Sequence, residues 1–185
     1  MPDPVLHTEH LTLRPLTAAL AADLLTASSS TANSFTGGAA EGFPSDDDAH
    51  VLRAVLADGP DARGAFVLEF DGRAVGTAGS AGVPSPQGDQ EIGFGLVPAA
   101  RNRGLGTEAV AAVAAHLERG DGVRRLTAEV LPGNLASLRL LRRLGFVDID
   151  GGTGGRVLLA RAAPGQPAVP GRTVSPSRIV GRHVC

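Results

Sequence analysis

The sequence has no lysine, no tyrosine and no tryptophan, and it has one cysteine in 185 residues. Because Cys185 is the single cysteine, no disulfide can form within the chain. Because it is also the last residue, its thiol is expected to have no fixed neighbouring base to make it a nucleophile. The missing lysine excludes a P-loop, in which a lysine follows the second glycine and binds phosphate. Any phosphate site must therefore use backbone amides or arginine.

Long apolar runs are also missing. No run approaches the roughly 20 residues of a transmembrane helix, and the first ten residues have neither the basic flank nor the apolar core of a signal peptide. We therefore expect a cytoplasmic protein with no membrane partner. The formal net charge is -2, whereas nucleic-acid binders usually carry a basic field over one face, so no nucleic-acid partner is expected. The five histidines are scattered without ligand spacing, which predicts no metal site.

The pattern of apolar and turn-forming residues predicts a mixed α/β (α+β) domain in the order β α α β β β α β α β β. LHTEHLTLRPLT is predicted to be one strand, and Thr17 and Ser45 are predicted to cap the two helices that follow it. The dipeptide DG at 71–72 favours a type I′ hairpin turn. One βαβ crossover leads from EIGFGLV through a glycine-led helix to RRLTAEVL.

Two further stretches have a simple interpretation. The acidic run at 46–48 is interpreted as a solvated first helical turn, with attraction of a cationic acceptor as the alternative. Beyond Ala163 the chain is proline-rich and patternless, so we predict a folded domain over residues 1–162 and a disordered tail over residues 163–185.

The stretch RNRGLGTEAV, residues 101–110, leads directly into an alanine-rich helical pattern. A glycine turn at a helix N-terminus suits a phosphate or pyrophosphate, because free N–H groups and the positive end of the helix dipole meet there. GLGTEA also fits the dinucleotide pattern G-x-G-x-x-A, with Glu129 as the ribose-binding acid. Against that hypothesis, PAARNR separates the strand from the loop, and too few βαβ units follow. A third interpretation is that Gly104 and Gly106 only permit a tight connection.

RNRGLG has the form R/Q-x-x-G-x-G/A, and with EIGFGLVP before it and TEAV after it, it resembles motif A of the GCN5-related N-acetyltransferase (GNAT) superfamily. TEHLTLRPLT is similar to the opening strand of the RimJ/RimL-type branch, and NLASLRLLRRLGF is similar to its N-x-x-S…GF segment. The three blocks occur in the family's order over about residues 5 to 162. The resemblance implies a mostly antiparallel central sheet flanked by helices, with acetyl-CoA as the acyl donor.

The resemblance also implies where acetyl-CoA binds. Its pyrophosphate would lie on the loop amides, supplemented by two arginine side chains whose alternative is simple solvation. A backbone N–H at Leu96 or Val97 would polarise the thioester carbonyl, and Asn134 would bind the pantetheine arm or cap its own helix. The loop residues implied are Arg101, Asn102, Arg103, Gly104, Leu105, Gly106 and Thr107.

Two side chains are implied in catalysis. Glu91 lies at the strand position where family members often use a carboxylate, commonly through water, to remove the amine's proton, and its alternative is an exposed strand-end carboxylate. The family's usual tyrosine acid is absent, and in the RimJ/RimL-type branch the serine that corresponds to Ser137 protonates the departing thiolate. Asn134 with Ser137 three residues later is equally typical of a helix cap.

The function implied is direct acetyl transfer from acetyl-CoA to a primary amine, either a protein N-terminal α-amine or a small-molecule amine. No credible nucleophile for a covalent intermediate is present. A dinucleotide-binding oxidoreductase and a non-catalytic acyl-CoA-binding module stay open as alternatives. The oligomeric state is open, with a homodimer as a common arrangement of soluble enzymes.

Overall fold

A computed structural model describes residues 3–26, 35–58, 64–80 and 82–171 of the chain. The predicted loop after the first helix, the predicted end of the second helix at DGP and most of the predicted tail therefore lie wholly or partly outside the described residues. The strands are β1 (Leu6–His7), β2 (Thr12–Pro15), β3 (Ala65–Phe70), β4 (Arg73–Ser80), β5 (Asp89–Leu96), β6 (Arg125–Val130), β7 (Val147–Ile149) and β8 (Val157–Ala162). The helices are α1 (Ala18–Thr26), α2 (Asp46–Asp58), α3 (Leu105–Leu117) and α4 (Leu135–Arg143).

The fold is the predicted α/β class, with a mostly antiparallel sheet flanked by helices. Among the described residues the sheet has eight strands in the order β1-β2-β3-β4-β5-β6-β8-β7, and the one parallel pair of these strands joins β5 to β6 through α3. The predicted βαβ crossover is therefore confirmed. None of the described helices is long and apolar enough to cross a membrane.

The prediction of a single N-terminal strand was wrong, because the segment is a hairpin of β1 and β2. The N–H of Thr8 donates to the carbonyl oxygen of Leu11 over 2.9 Å, and this turn brings Leu6 opposite Leu13. The separation of Leu6 from Leu11 is an odd number of residues, which breaks the alternation expected along one strand. Because the chain reverses at the turn, Leu6 and Leu13 share one apolar face despite this spacing.

The other predicted turns and caps are confirmed. Thr17 accepts from the N–H of Leu20 over 3.2 Å at the start of α1. Asp71 and Gly72 have φ angles of 49° and 74°, and positive values at both central residues define a type I′ turn. The N–H of Asp48 donates to the hydroxyl oxygen of Ser45 over 3.3 Å at the start of α2.

The sheet opens along one side of β5. Only Asp89, Gln90 and Glu91 pair with β6, opposite residues 125–127. Beyond Glu91, β5 continues to pair with β4 as far as Leu96, while β6 pairs with β8 as far as Val130. The two halves of the sheet therefore separate, and the edge of β5 that faced β6 is left open next to the start of α3.

Helix α3 packs against the core on both sides of this opening. Leu105, Ala109 and Val113 belong to the apolar cluster beneath β2, β3 and β4. Val110 and Ala114 belong to a second cluster, formed with β6, β8 and α4. One helix thus fixes both half-sheets, which holds the opening at a defined place.

Residues 163–171 of the predicted tail are among those described. Ala163 is buried and its N–H donates to the carbonyl oxygen of Arg124 over 2.9 Å, and Gln166 N–H donates back to Ala163. A Cβ on Gly171 would lie 3.5 Å from Val147, so the segment returns towards β7. Packing thus continues past residue 162, and disorder stays a prediction for the rest of the tail.

Candidate acetyl-CoA and acceptor site

The glycine loop ends in a left-handed residue from which α3 begins. Asn102 and Gly104 have φ angles of 61° and 82°, and Leu105 is the first helical residue. The N–H of Arg101 donates to the carbonyl oxygen of Pro98 over 3.1 Å, whereas within the described parts of the chain the backbone N–H groups from residue 104 to residue 107 bind no acceptor. Successive free N–H groups at a helix start form a concave site that attracts anions.

The two glycines of this loop serve different purposes. Gly104 needs its left-handed φ, and a Cβ there would meet no described atom within 4 Å. Gly106 has no such φ, but its Cβ would lie 3.2 Å from Leu140 in α4 and 3.6 Å from Leu96 in β5. Gly106 therefore allows α3 to lie close to α4 and β5.

Both loop arginines already have partners. Nε of Arg101 donates to the carbonyl oxygen of Leu96 over 2.8 Å. The guanidinium carbon of Arg103 lies 4.5 Å from the centre of the Phe70 ring, within the range of a cation–π contact. Both arginines are exposed, so an anion on the loop amides is within reach of their side chains if these contacts loosen.

The open edge of β5 presents backbone groups in alternation. Val97 N–H donates to the carbonyl oxygen of Val75 in the β4 direction over 2.9 Å. Because antiparallel strands alternate between paired residues and residues whose N–H and C=O point away, Phe94 and Leu96 direct theirs towards the opening. The predicted donor Val97 is therefore occupied by the sheet, whereas Leu96 N–H is directed correctly. Phe94, which the sequence analysis did not include, is the second such residue.

A cleft of about 490 Å³ lies between β4, β5 and α2. Glu91, Gly93 and Gly95, which share one face of the strand, line it together with Ile92 and Phe94. Arg156, which precedes β8 on the far side of the opening, also lines it. The cleft therefore reaches from α2 across β5 to the opening.

Glu91 is an exposed residue in this cleft. No hydrogen bond or ion pair engages its carboxylate in the part of the chain that the structure describes. It lies three residues from Phe94 and five from Leu96, which along a strand is roughly 10 Å and roughly 16 Å. A proton donor near the opening would reach Glu91 through water rather than directly.

The acidic run at the start of α2 is not a uniformly solvated turn, which corrects its main interpretation. Asp48 is only 2% exposed. One carboxylate oxygen accepts from the hydroxyl of Thr77 over 2.7 Å, and the other accepts from the N–H and hydroxyl of Ser45 over 3.1 and 2.6 Å. The Ser45 contacts form a capping box, which the sequence spacing S-x-x-D could have revealed. The Thr77 contact, which fastens α2 to β4, had no such signal.

Asn134 caps α4, as one of its two interpretations held. Its side-chain oxygen accepts from the N–H of Ser137 over 3.1 Å. Asn134 is exposed, and Ser137 is half-buried on the first turn. Both residues follow β6 across the opening from β5.

Two other charged side chains are engaged by neighbouring residues. Glu129 accepts from the N–H and hydroxyl of Thr153, which occupies the carboxylate that the dinucleotide hypothesis assigned to a ribose. Arg142 donates twice to Asp148, and this bond raises the pKa of the guanidinium further. Among the described residues no group of three metal-ligating side chains occurs.

A further ion pair fastens the N-terminal hairpin to the first turn of α3. Glu108 accepts from the N–H of His10 over 2.7 Å and lies 2.9 Å from its Nδ1. The hydrogen bond to Glu108 raises the pKa of His10. Burial raises the pKa of Glu108, but hydrogen bonds from Thr8 and His10 outweigh it, so that the pKa is lowered.

The split sheet, the amide-rich loop and the helix that joins them define an acyltransferase. A family model described as "Acetyltransferase (GNAT) domain" matches residues 10–147, and the chain belongs to this family. The resemblance inferred from the sequence is thereby confirmed. The doubly wound parallel sheet that the oxidoreductase hypothesis requires is not the sheet observed.

Solved structures share this fold. A protein from Bordetella pertussis described as a GnaT-family acetyltransferase is 27% identical, with 86% of this chain and 100% of that chain covered and a TM-score of 0.59. The ribosomal-protein-S5-alanine acetyltransferase of Vibrio fischeri is 18% identical, with coverages of 89% and 100% and a TM-score of 0.63. Mycobacterium smegmatis RimJ, solved with a CoA-disulfide, is 20% identical, with coverages of 83% and 82% and a TM-score of 0.57. No curated protein matches the sequence.

Proposed function

We propose that this acetyltransferase moves an acetyl group from acetyl-CoA to a primary amine by direct transfer. The observation that carries the proposal is the open edge of β5, which begins beside the free amides of the glycine loop and ends at the cleft that contains Glu91. Acetyl-CoA and the amine can thus reach the same part of β5 by separate routes. The acceptor to test is either a protein N-terminal α-amine, which the names of the ribosomal-protein acetyltransferases of the same fold suggest, or a small-molecule amine. We place the reaction in the cytoplasm.

The loop amides from residue 102 to residue 107 are proposed to bind the pyrophosphate of acetyl-CoA. Arg101 and Arg103 would then add charge-assisted hydrogen bonds. The pantetheine arm would lie along the open edge of β5, where Leu96 offers an N–H, and would reach the exposed amide of Asn134. Since Arg101 holds the carbonyl of Leu96 in the free protein, its side chain must release that oxygen when the arm pairs there.

The chemistry needs a neutral amine, a polarised carbonyl and a leaving thiolate. Glu91 accepts the proton of the ammonium through water, and the free amine attacks the thioester carbonyl. The N–H of Leu96, or of its neighbour Phe94, stabilises the negative oxygen that forms. When the carbon–sulfur bond breaks, Ser137 donates its hydroxyl proton to the sulfur. The nitrogen, which became positively charged on attack, loses its second proton through water, and this proton restores the Ser137 hydroxyl and leaves a neutral amide.

Two measurements test this proposal. Calorimetry should detect acetyl-CoA binding and no binding of NADH. A thiol-detection assay over a panel of peptides, polyamines and aminoglycosides should show CoA release with at least one amine, and mass spectrometry should find that amine 42 Da heavier. Acetyl-CoA binding without release for any amine would support a binding module instead, and NADH binding alone would contradict the proposal entirely.

A further inference from the structure

Gly93 lies in the middle of β5 on the face that lines the cleft. A glycine inside a strand weakens that strand relative to alanine, because it loses more backbone freedom on folding and offers no side chain to pack. A central strand that contains such a residue therefore calls for a specific reason.

Neither the backbone nor the packing supplies that reason. The φ of Gly93 is outside the left-handed region, and a Cβ on it would meet no described atom within 4 Å. The glycines of β4 differ in this respect. A Cβ on Gly76 would lie 2.1 Å from the carbonyl oxygen of Gly95, and one on Gly79 would lie 2.2 Å from that of Gly64. Gly76 and Gly79 are required by the fold, whereas Gly93 is not.

The position of Gly93 relates it to the reaction. Glu91 lies on the same face two residues away, roughly 7 Å along the strand. Phe94, the next residue, directs its N–H into the opening. An acceptor amine that loses its proton to Glu91 through water and then attacks a thioester carbonyl held at the opening must pass over the backbone of Gly93.

We propose that Gly93 is a specificity-determining residue of this acetyltransferase. The space left by its missing side chain admits the carbon that bears the reacting nitrogen, together with any branch on that carbon. This inference rests on the proposed function, in which the amine enters through the cleft. It makes Gly93 the residue that limits how bulky an acceptor can be next to its amine.

Gly93→Ala and Gly93→Val test the inference with two acceptors that differ only beside the nitrogen, unbranched n-propylamine and branched isopropylamine, and with peptides that begin with glycine or with valine. We expect Gly93→Val to lower kcat/KM for the branched member of each pair at least about tenfold more than for the unbranched member, with Gly93→Ala between it and the wild type. The acetyl-CoA Kd should stay within about twofold, since the loop is unchanged. The Tm should be equal or higher, because a side chain fits there.

Gly79→Ala is the matched control, and its Tm should fall because its Cβ has no room. Equal losses for branched and unbranched acceptors, unchanged kinetics in Gly93→Val, or weaker acetyl-CoA binding would each overturn the role of Gly93. A wild-type protein that binds acetyl-CoA but acetylates no amine in the broad panel would overturn the proposed function itself, which separates that failure from failure of this inference.

Discussion

The two sides of β5 present different kinds of group, backbone N–H groups on one side and side chains on the other. On the side of the opening and the glycine loop, the functional groups are backbone N–H groups, and the side chains of Arg101 and Arg103 are held by other partners. On the side of the cleft, side chains form the wall, with Glu91 from β5 and Asp48 from α2. Under the proposed function, recognition of the acyl donor would depend on backbone conformation, whereas recognition of the acceptor would depend on which side chains are present or missing.

The largest effect should come from the cleft side. Glu91→Gln keeps the shape of the side chain and removes its ability to accept a proton, so we expect kcat/KM at neutral pH to fall about 100-fold or more. The acetyl-CoA Kd should not change. Glu129→Gln, which changes a half-buried carboxylate that is bound by Thr153 and does not line the cleft, is the control and should keep full activity. Wild-type kinetics in Glu91→Gln would show that another group accepts the proton.

The contact between α2 and β4 should have the next largest effect. Asp48→Ala leaves the hydroxyl of buried Thr77 and the N–H and hydroxyl of Ser45 without their acceptor, and we expect the free energy of unfolding to fall by about 2 kcal/mol. The KM for the amine should rise while the acetyl-CoA Kd stays constant, because the helix forms the cleft wall. Urea denaturation and steady-state kinetics measure the two effects. Asp47→Ala, at an exposed neighbour, should change stability by less than about 0.5 kcal/mol, and an equal loss there would refute the special role of Asp48.

On the loop side, Gly104→Ala tests whether backbone conformation binds the donor. The left-handed φ of 82° costs a non-glycine residue about 1 kcal/mol or more, and relief of that strain would turn the amides away. We expect the acetyl-CoA Kd by calorimetry to rise about tenfold, which corresponds to about 1.4 kcal/mol. Gly133→Ala has open space and no left-handed φ, so it should change neither affinity nor Tm. Unchanged affinity in Gly104→Ala would contradict the backbone account.

The smallest effect should be a pH dependence of the hairpin contact beside the loop. Since the folded pKa of His10 is raised above its ordinary 6.5, its stabilisation is complete below that value and is lost as the pH rises through the folded pKa. Glu108, with a lowered pKa, contributes fully above its ordinary 4.5, and its part is lost as the pH falls through the folded pKa. The difference in unfolding free energy between wild type and His10→Ala should therefore be larger at about pH 6 than at about pH 8.5. His7→Ala serves as the control, and a difference that does not change with pH would contradict the ion pair.

The features that the sequence predicted correctly are short in range. The caps at Thr17 and Ser45, the turn at Asp71 and the glycine-led start of α3 each depend on residues within a few positions, whose conformational preferences act locally. The wrong prediction, a single strand for β1 and β2, concerned a turn without glycine or proline. Its stability comes from hydrogen bonds at Thr8 and from the distant contact of His10 with Glu108.

The sequence by itself thus determined the α/β class, the family and the position of the glycine loop. The loop could be located from the sequence because the groups that form it are consecutive backbone amides. Only the tertiary structure decided that Val97 N–H is occupied by the sheet while Leu96 and Phe94 face the opening, since this depends on the register with β4. It alone placed Asp48 against Thr77, 29 residues away, and left open space above Gly93. Those facts follow from the packing of a helix onto strands, where distant residues meet and local preference has no influence.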